Sequence, residues 1–512
     1  MAEVLSWPLN RNPVSPTLSS FWECPSPHTP LAFWELEQQV QTAAAQVGDQ
    51  ILGHHLTQVH QETDFVRQAV IQAREKSLVP LINKGLKTVS VLLSGGTRYV
   101  LKTPYLRPNP TKKAGRKRTK RGPKGVGRYP VLEALGIRDG VSPATRSQIA
   151  LFTVQAGSYQ EAMVLLSERG LSVDSSTLIR VAQSSARADI GLREAALAAA
   201  KAMPVPSDGP LTGHRVRVSL DGGRVRTRQC WPGRKTEKGR HRFDTPWREP
   251  RVLVIDLLDE KGRADPLRLP LYDVLIDDAE ATFSLVLGYL RLLGAAHAQV
   301  IEFIADGAEW IWERTEALRR DAEIPAERWV EVVDFYHASE HLGAALELCR
   351  NLSKEERQSL FKELRHLLRT DPHGVEKVIQ RLRPEVKARR AKKMKTAIAY
   401  FEKHAPRMAY TALDEQHLPV GSGVVESAVR RVINLRFKAS GTFWEEDTVA
   451  DLMHLRACFK AGRWDEMMER ILTQTFGRPD FEKLIPEQIR GILPLDPLEK
   501  EPPDDDSLAW AG

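Results

Sequence analysis

No Cys-x-x-Cys pair occurs anywhere in the chain, and its four cysteines, Cys24, Cys230, Cys349 and Cys458, stand far apart. That spacing suggests neither a disulfide framework nor a cysteine zinc site, and it fits thiols kept reduced inside a cell. Long apolar runs are missing too. Nothing approaches the ~18 uninterrupted apolar residues of a membrane span, and the amino-terminal MAEVLSWPLNRNP lacks the charged start and apolar core of a secretory leader. Neither export nor membrane insertion is expected.

Acid is the third absence, and it is local. The segment TKKAGRKRTKRGPKGVGR, residues 111 to 128, carries Lys112, Lys113, Arg116, Lys117, Arg118, Lys120, Arg121, Lys124 and Arg128 without one Asp or Glu. With Gly and Pro interspersed it cannot build a core, and its like charges repel until a polyanion neutralises them. The plain alternative is a solvated linker. The whole chain points the same way more weakly: net charge is +8 and the sequence pI about 9.2.

What is present fits a multidomain globular protein. In 512 residues, 42% are hydrophobic and 27% charged, enough for two to four cores. Residues 1 to 30 are rich in Pro and Ser and read as loose. From Phe33 to Glu75 apolar residues recur at helical spacing, with breaks expected near Gly48 and Gly53. KTVSVLL and TRYVLKT flank Ser94-Gly95-Gly96 as a β-hairpin. Three short helices follow: Ser158 and Glu161 form a capping-box pair, Gly170 supplies a stop, and Ser172 to Ser176 offer caps for the third. Two helices joined by Gly170-Leu171-Ser172 fit a helix-turn-helix that would carry Ser175, Ser176, Thr177 and Arg180 into a groove, although any small bundle gives this pattern.

The next region changes character. Strands are expected at 216–220, 251–258, 268–274, 299–305 and 329–335, with helices at 281–295 and 308–320. Strands first, then strands alternating with helices, imply a mixed sheet covered by helices, in the order of an RNase H-like fold. Asp221 in SLDGG and Asp306 in IADGAEW end two of these strands. Each has a structural alternative, a turn for Asp221 and a helix cap for Asp306, but two carboxylates at strand ends of one sheet meet at the crevice where ligands bind. A charged helical stretch, 342–413, precedes GSGVVESAVRRVINLRFK, whose helix carries Glu426 in its first turns and Arg430 one turn on, with Arg431 and Arg436 nearby. Trp444 in GTFW is a candidate for stacking on an unpaired base, against the commoner role of a core tryptophan.

Taken together, SLDGG, FIADGAEWIW, VVDFYHASEHL and GSGVVESAVRRVINLRFK resemble the bacterial insertion-sequence DDE transposases, in particular the Kra-type family, over residues 85 to 475. The resemblance implies a triad of Asp221, Asp306 and Glu426, separated by 85 residues (221 to 306) and 120 (306 to 426), binding two Mg²⁺ with Mn²⁺ able to substitute. It implies cleavage of transposon ends and transfer of the 3′-OH to target DNA, a homodimer on DNA, and a cytoplasmic, nucleoid-associated protein. Relatives often carry a Cys-x-x-Cys pair after the hairpin; here the basic segment stands instead, so no zinc is carried over to that region.

The expected plan is a multidomain α+β protein. It runs as a helical region (1–85), hairpin and basic arm (86–135), helix-turn-helix-like region (136–200), RNase H-like core (210–345), helical insertion (346–415), the rest of the core with Glu426 (416–475) and a tail (476–512) whose end is acidic. Two rival readings stand beside it. One is a transposase-derived DNA-binding protein without catalysis. The other is a zinc peptidase built on HASEH (337–341), which resembles the inverted zincin pattern but leaves Asp221, Asp306, Glu426 and the basic arm unexplained. In the transposase reading HASEH enters the same crevice: Asp334 ends the last strand, Asp334 and His337 take supporting roles, and Glu340 and His341 are structural or solvated.

Overall fold

The apolar runs become strands of one five-stranded mixed sheet. In chain order these are β3 (Arg215–Gly222), β4 (Arg251–Leu258), β5 (Leu271–Leu275), β6 (Val300–Ala305) and β7 (Trp329–Val333), arranged β7-β6-β3-β4-β5. β3 to β5 run antiparallel in sequence, whereas β6 lies parallel to β3 and β7 parallel to β6. β4, with the sequence RVLVIDLL, is buried at every position but its first, as a strand covered on both faces should be. Register between β3 and β4 is reinforced by a buried cross-strand pair: Arg217 forks onto Asp256, Nε to Oδ1 at 3.1 Å and Nη2 to Oδ2 at 2.7 Å.

The computed structural model describes residues 21, 24–108 and 127–481, apart from 234, 238, 240, 387–390 and 440. Lys112, Lys113, Arg116, Lys117, Arg118, Lys120, Arg121 and Lys124, with most of the first 30 residues and the acidic tail, lie outside the described residues. The chain forms two compact units, residues 1–185 and 186–512. Among the described residues no helix is long and apolar enough to cross a membrane.

The first unit contains α1 (Pro30–Gln61), α2 (Thr63–Glu75), the hairpin β1 (Leu81–Leu92) and β2 (Arg98–Pro108), α3 (Pro143–Gln155) and α4 (Tyr159–Glu168). α1 runs straight through Gly48 and Gly53; the expected breaks are absent, and the interruption falls at Glu62. Packing outweighs the ~1 kcal/mol helix cost of a glycine: the Tyr99 ring occupies the space where a Gly53 Cβ would stand. Asp49, buried within α1, accepts the N–H groups of Gly95 and Thr97 at 2.9 and 2.8 Å and so ties the hairpin turn to the helix. Ser158 caps α4 by accepting the Glu161 N–H, while the Glu161 carboxylate reaches back to the Gly157 N–H, one residue beyond a standard capping box. The third helix, α5 (Ser175–Ala202), is not short: it has 28 residues and starts at Asp174, whose carboxylate accepts the Thr177 N–H.

In the second unit the sheet is covered by α6 (Ala279–Leu292), α7 (Phe335–Leu346) and the helices of the expected insertion, α8 (Lys354–Thr370), α9 (Gly374–Leu382), α10 (Ala391–His404) and α11 (Tyr410–Glu415). Those helices are not merely a solvated excursion. Leu364, Leu368, Val378, Leu382, Ile398 and Phe401 share one core with the sheet residues Val218, Ile255, Phe303 and Val332. The chain then gives α12 (Gly423–Val429), a π-helical turn at Arg430–Asn434, α13 (Glu446–Lys460) and α14 (Trp464–Thr473).

Candidate active site

Register puts three acids in a row. Ala305 pairs with Leu220 on one side and with Val333 on the other, so the next residue of each strand, Asp306, Asp221 and Asp334, stands at the same end of three adjacent strands. Neighbouring strands lie ~4.8 Å apart, which sets the scale of the row. Asp221 and Asp306 are half-buried, and each holds itself with one local bond: Asp221 Oδ1 accepts the Gly222 N–H at 2.6 Å, and Asp306 Oδ1 the Ala308 N–H at 2.9 Å. The second oxygen of each carries no such backbone bond.

Asp334 differs. It is fully buried, its Oδ1 accepts the N–H groups of Tyr336 and His337 at 2.6 and 2.9 Å as the cap of α7, and its Oδ2 accepts the Ser422 N–H. A second tie joins the same segments, Phe335 N–H to Val420 O at 2.8 Å. The carboxylate of Asp334 is therefore engaged on both oxygens, and its work is to hold the loop that launches Glu426. Gly421 in that loop lets Tyr336 close in, since a Cβ there would lie 2.8 Å from its ring.

Glu426 sits one turn into α12, which packs on β3 and β4. Gly223, two residues after Asp221, permits that approach: a Cβ at Gly223 would meet Ile433 Cδ1 at 2.7 Å and Val429 at 3.4 Å. Electrostatics record the result. Burial pushes the Asp221 carboxyl above the ordinary carboxylate range, and the charges of Asp306 and Asp334 add to it against the Gly222 N–H and His337. The Glu426 side chain reaches solvent, yet partial desolvation pushes it up too, followed by Asp334, Asp221 and Glu340 and opposed by His337. His337 thus interacts electrostatically with both acids, and its Nδ1 lies 3.5 Å from Glu340.

The three expected ligands are close enough to interact but do not converge within 4.8 Å of one another. A two-ion centre is wider than that, because its ions lie ~3.5–4 Å apart with ligands on both flanks. The donor set, carboxylate oxygen throughout, suits a hard cation such as Mg²⁺.

Several sequence expectations fail here. Arg431 is buried, with Nη2 donating to Tyr272 Oη at 2.6 Å and Nε to Ser427 O at 3.3 Å. Arg436 is buried over the Trp444 ring, 5.0 Å from its centre. Both guanidiniums are committed to the interior, which removes them as DNA contacts. Trp444 is also core: it is 6% exposed, its ring lies 5.1 Å from that of Phe437, and its Nε1 donates to Phe437 O, so no face is open to a base. Arg430 is exposed. Arg180, in the first unit, is half-exposed and paired with Asp139 at 3.0 Å; Arg128 forks onto Glu133. The His341 ring stacks on Tyr400 at 3.8 Å and Glu340 pairs with His337, and among the described residues His337, Glu340 and His341 belong to no metal-ligating cluster.

One element escaped the sequence reading altogether. Between β3 and β4 the chain rises and returns as a narrow antiparallel ribbon, Val225–Arg226 with Trp247–Arg248 and Gln229–Cys230 with Phe243–Asp244. Trp231, Phe243 and Trp247 are 50%, 40% and 51% exposed, and Arg226 and Arg228 lie over the Trp247 and Phe243 rings. The ribbon is fastened to the segment just before α13 through Trp444, whose N–H donates to Arg226 O and whose O accepts the Arg228 N–H. The sequence signal was arginine at every second position in RVRTRQCW (224, 226 and 228), with tryptophan at 231 and again at 247 in TPWRE.

No family model matches the chain, and no curated protein does. Among solved structures it is similar to the Drosophila P element transposase strand transfer complex, over 65% of this chain and 81% of that one, at 11% sequence identity and a TM-score of 0.22. So loose an overlap transfers no site residue, and the crevice stands on its own geometry.

Proposed function

We propose that this chain is a DDE transposase with an RNase H-like catalytic core, cutting and joining DNA at the crevice formed by Asp221, Asp306 and Glu426. The observation that carries the reading is the strand register: two carboxylates left available at the ends of the adjacent strands β3 and β6, with a glutamate carried by a helix packed on β3 and its antiparallel neighbour β4. The strand order is consistent with that core.

Asp221, Asp306 and Glu426 would hold Mg²⁺ or Mn²⁺, which when bound activates a water or 3′-OH nucleophile and steadies the leaving oxygen of a phosphodiester. The chain's own residues do the rest. Asp334 positions the Glu426 loop, His337 of α7 interacts electrostatically with Asp221 and Glu426, and Arg430 offers an exposed cation one turn from Glu426 for a phosphate. The exposed aromatics of the ribbon are suited to unpaired bases, and the basic segment 111–128 to the DNA backbone. A dimer bringing two ends together belongs to the same proposal.

The test uses DNA ending in the inverted repeats that flank the gene, with Mg²⁺ or Mn²⁺. The full chain should nick at the 3′ ends, and Glu426→Gln should lower cleavage more than ~100-fold while end binding persists. Binding without cleavage by the unaltered chain under either metal would instead identify a catalytically silent DNA-binding protein.

A further inference from the structure

A second cluster of ligating groups lies in the interior of the second unit, built from residues the catalytic proposal does not use. Asp189 of α5 and His454 and Cys458 of α13 are all buried, and one ligand atom of each lies within 4.8 Å of the other two. His454 Nε2 is 2.9 Å from Asp189 Oδ2 and 4.0 Å from Cys458 Sγ. His454 and Cys458 are one turn apart on one helix face, the spacing by which a single helix presents two metal ligands.

The distances approach those around a tetrahedral ion. With Zn–N and Zn–O near 2.1 Å and Zn–S near 2.3 Å, a tetrahedral angle sets N···O at ~3.4 Å and N···S at ~3.6 Å. Each observed distance is within about 0.5 Å of that value. A cavity of about 20 Å³ is bounded by Asp189, Asp273, His454, Cys458 and Arg470 among others, room for one water or one ion.

The surroundings are arranged as an outer shell. His454 Nδ1 faces Asp273 Oδ1 at 3.6 Å, the carboxylate–histidine relation that orients a metal-binding imidazole. Asp273 is in turn fixed by both Arg193 bonds, 2.8 and 3.0 Å, and by the Tyr289 hydroxyl at 2.7 Å. Arg470 forks onto Asp189 at 2.8 and 2.9 Å. Zinc would be bound by the neutral imidazole of His454 and the thiolate of Cys458, which releases its proton.

We infer that Asp189, His454 and Cys458 form a structural zinc site, with Asp273 orienting His454. It joins α5 to α13, two helices whose ligands are 265 residues apart in sequence, and it needs no participation in strand cleavage.

Zinc content of the full chain, purified without metal affinity and dialysed, tests this directly. About one zinc per chain is expected, falling below about a tenth in Cys458→Ala and in His454→Gln, and persisting in Glu426→Gln. Because those two variants can misfold, the unaltered chain is also stripped with chelator and reloaded with Co²⁺. A thiolate-to-cobalt charge-transfer band and tetrahedral visible bands should appear. Absence of zinc together with no such bands overturns the site and leaves a direct hydrogen bond between His454 and Asp189. Zinc lost equally in Glu426→Gln would place the ion in the catalytic crevice and also overturns it. DNA cleavage enters none of these readouts, so failure here and failure of the transposase reading are separate results.

Discussion

The carboxylate of Asp334 accepts the backbone N–H of Ser422, joining the end of the last strand to the loop that launches Glu426. A residue in line with two metal-ligand candidates is thereby a brace, distinguished from them by complete burial and by bonds on both oxygens.

Asp334→Asn should show this. The amide offers one acceptor where the carboxylate has two, so either the α7 cap or the Ser422 tie is lost, at about 1–3 kcal/mol. The urea midpoint should fall accordingly, and DNA cleavage should fall further than end binding. An unchanged midpoint would remove the brace from the mechanism.

Asp221 and Glu426 make the metal-free chain less stable as pH rises. Both retain protons above the ordinary carboxylate range, chiefly through burial, so between the ordinary and raised values the folded chain binds more protons than the unfolded one. Stability is lost as pH climbs through that window. Without divalent metal, Asp221→Asn and Glu426→Gln should each melt above the unaltered chain at pH 7, the curves converging on acidification. Mg²⁺ should raise the melting point of the unaltered chain more than theirs.

Gly223→Ala addresses the contact between the Asp221 loop and the Glu426 helix. The added Cβ presses on the end of Ile433, at an expected cost of about 1 kcal/mol, with cleavage reduced more than stability. Ile433→Val in the same chain should restore part of both. Equal activity in all three chains would show that this approach does not position Glu426.

For the ribbon, Trp231→Ala and Trp247→Ala should each weaken single-stranded DNA binding by about 1–3 kcal/mol while leaving duplex binding and the melting point nearly unchanged. Anisotropy titrations with both DNA forms at one salt concentration read this. Equal losses on both forms would argue against base stacking.

How far the sequence was readable depends on which residues set the structure. RVLVIDLL and QVIEFIA are apolar enough to be strands in any context, and the acids that end two such strands, Asp221 and Asp306, were placed by the strands themselves. Asp334 was legible as a strand end, but its tie to Ser422 crosses 88 residues and depends on tertiary packing. The ribbon has paired segments of two residues separated by Gly, Pro and polar side chains, too short to show a period. His454 and Cys458 carry helical spacing, yet the third member, Asp189, lies on a helix far away in the chain. Trp444 had the alternative of core, and the Phe437 and Arg436 contacts decided it.

Arg431, five residues beyond Glu426, lies about 140° round the helix from it, while Arg436 failed for a different reason, the π-helical turn at Arg430–Asn434. Successive residues of an α-helix turn by ~100°, and a π-turn accommodates about one residue more than the α pattern allows. Positions after it are rotated relative to a projection drawn from Glu426. Deleting one residue between 430 and 434 should swing the downstream arginines by about a quarter turn while leaving Glu426 at its post. In such a segment a one-codon deletion acts as a rotary adjustment, a change that no substitution can imitate.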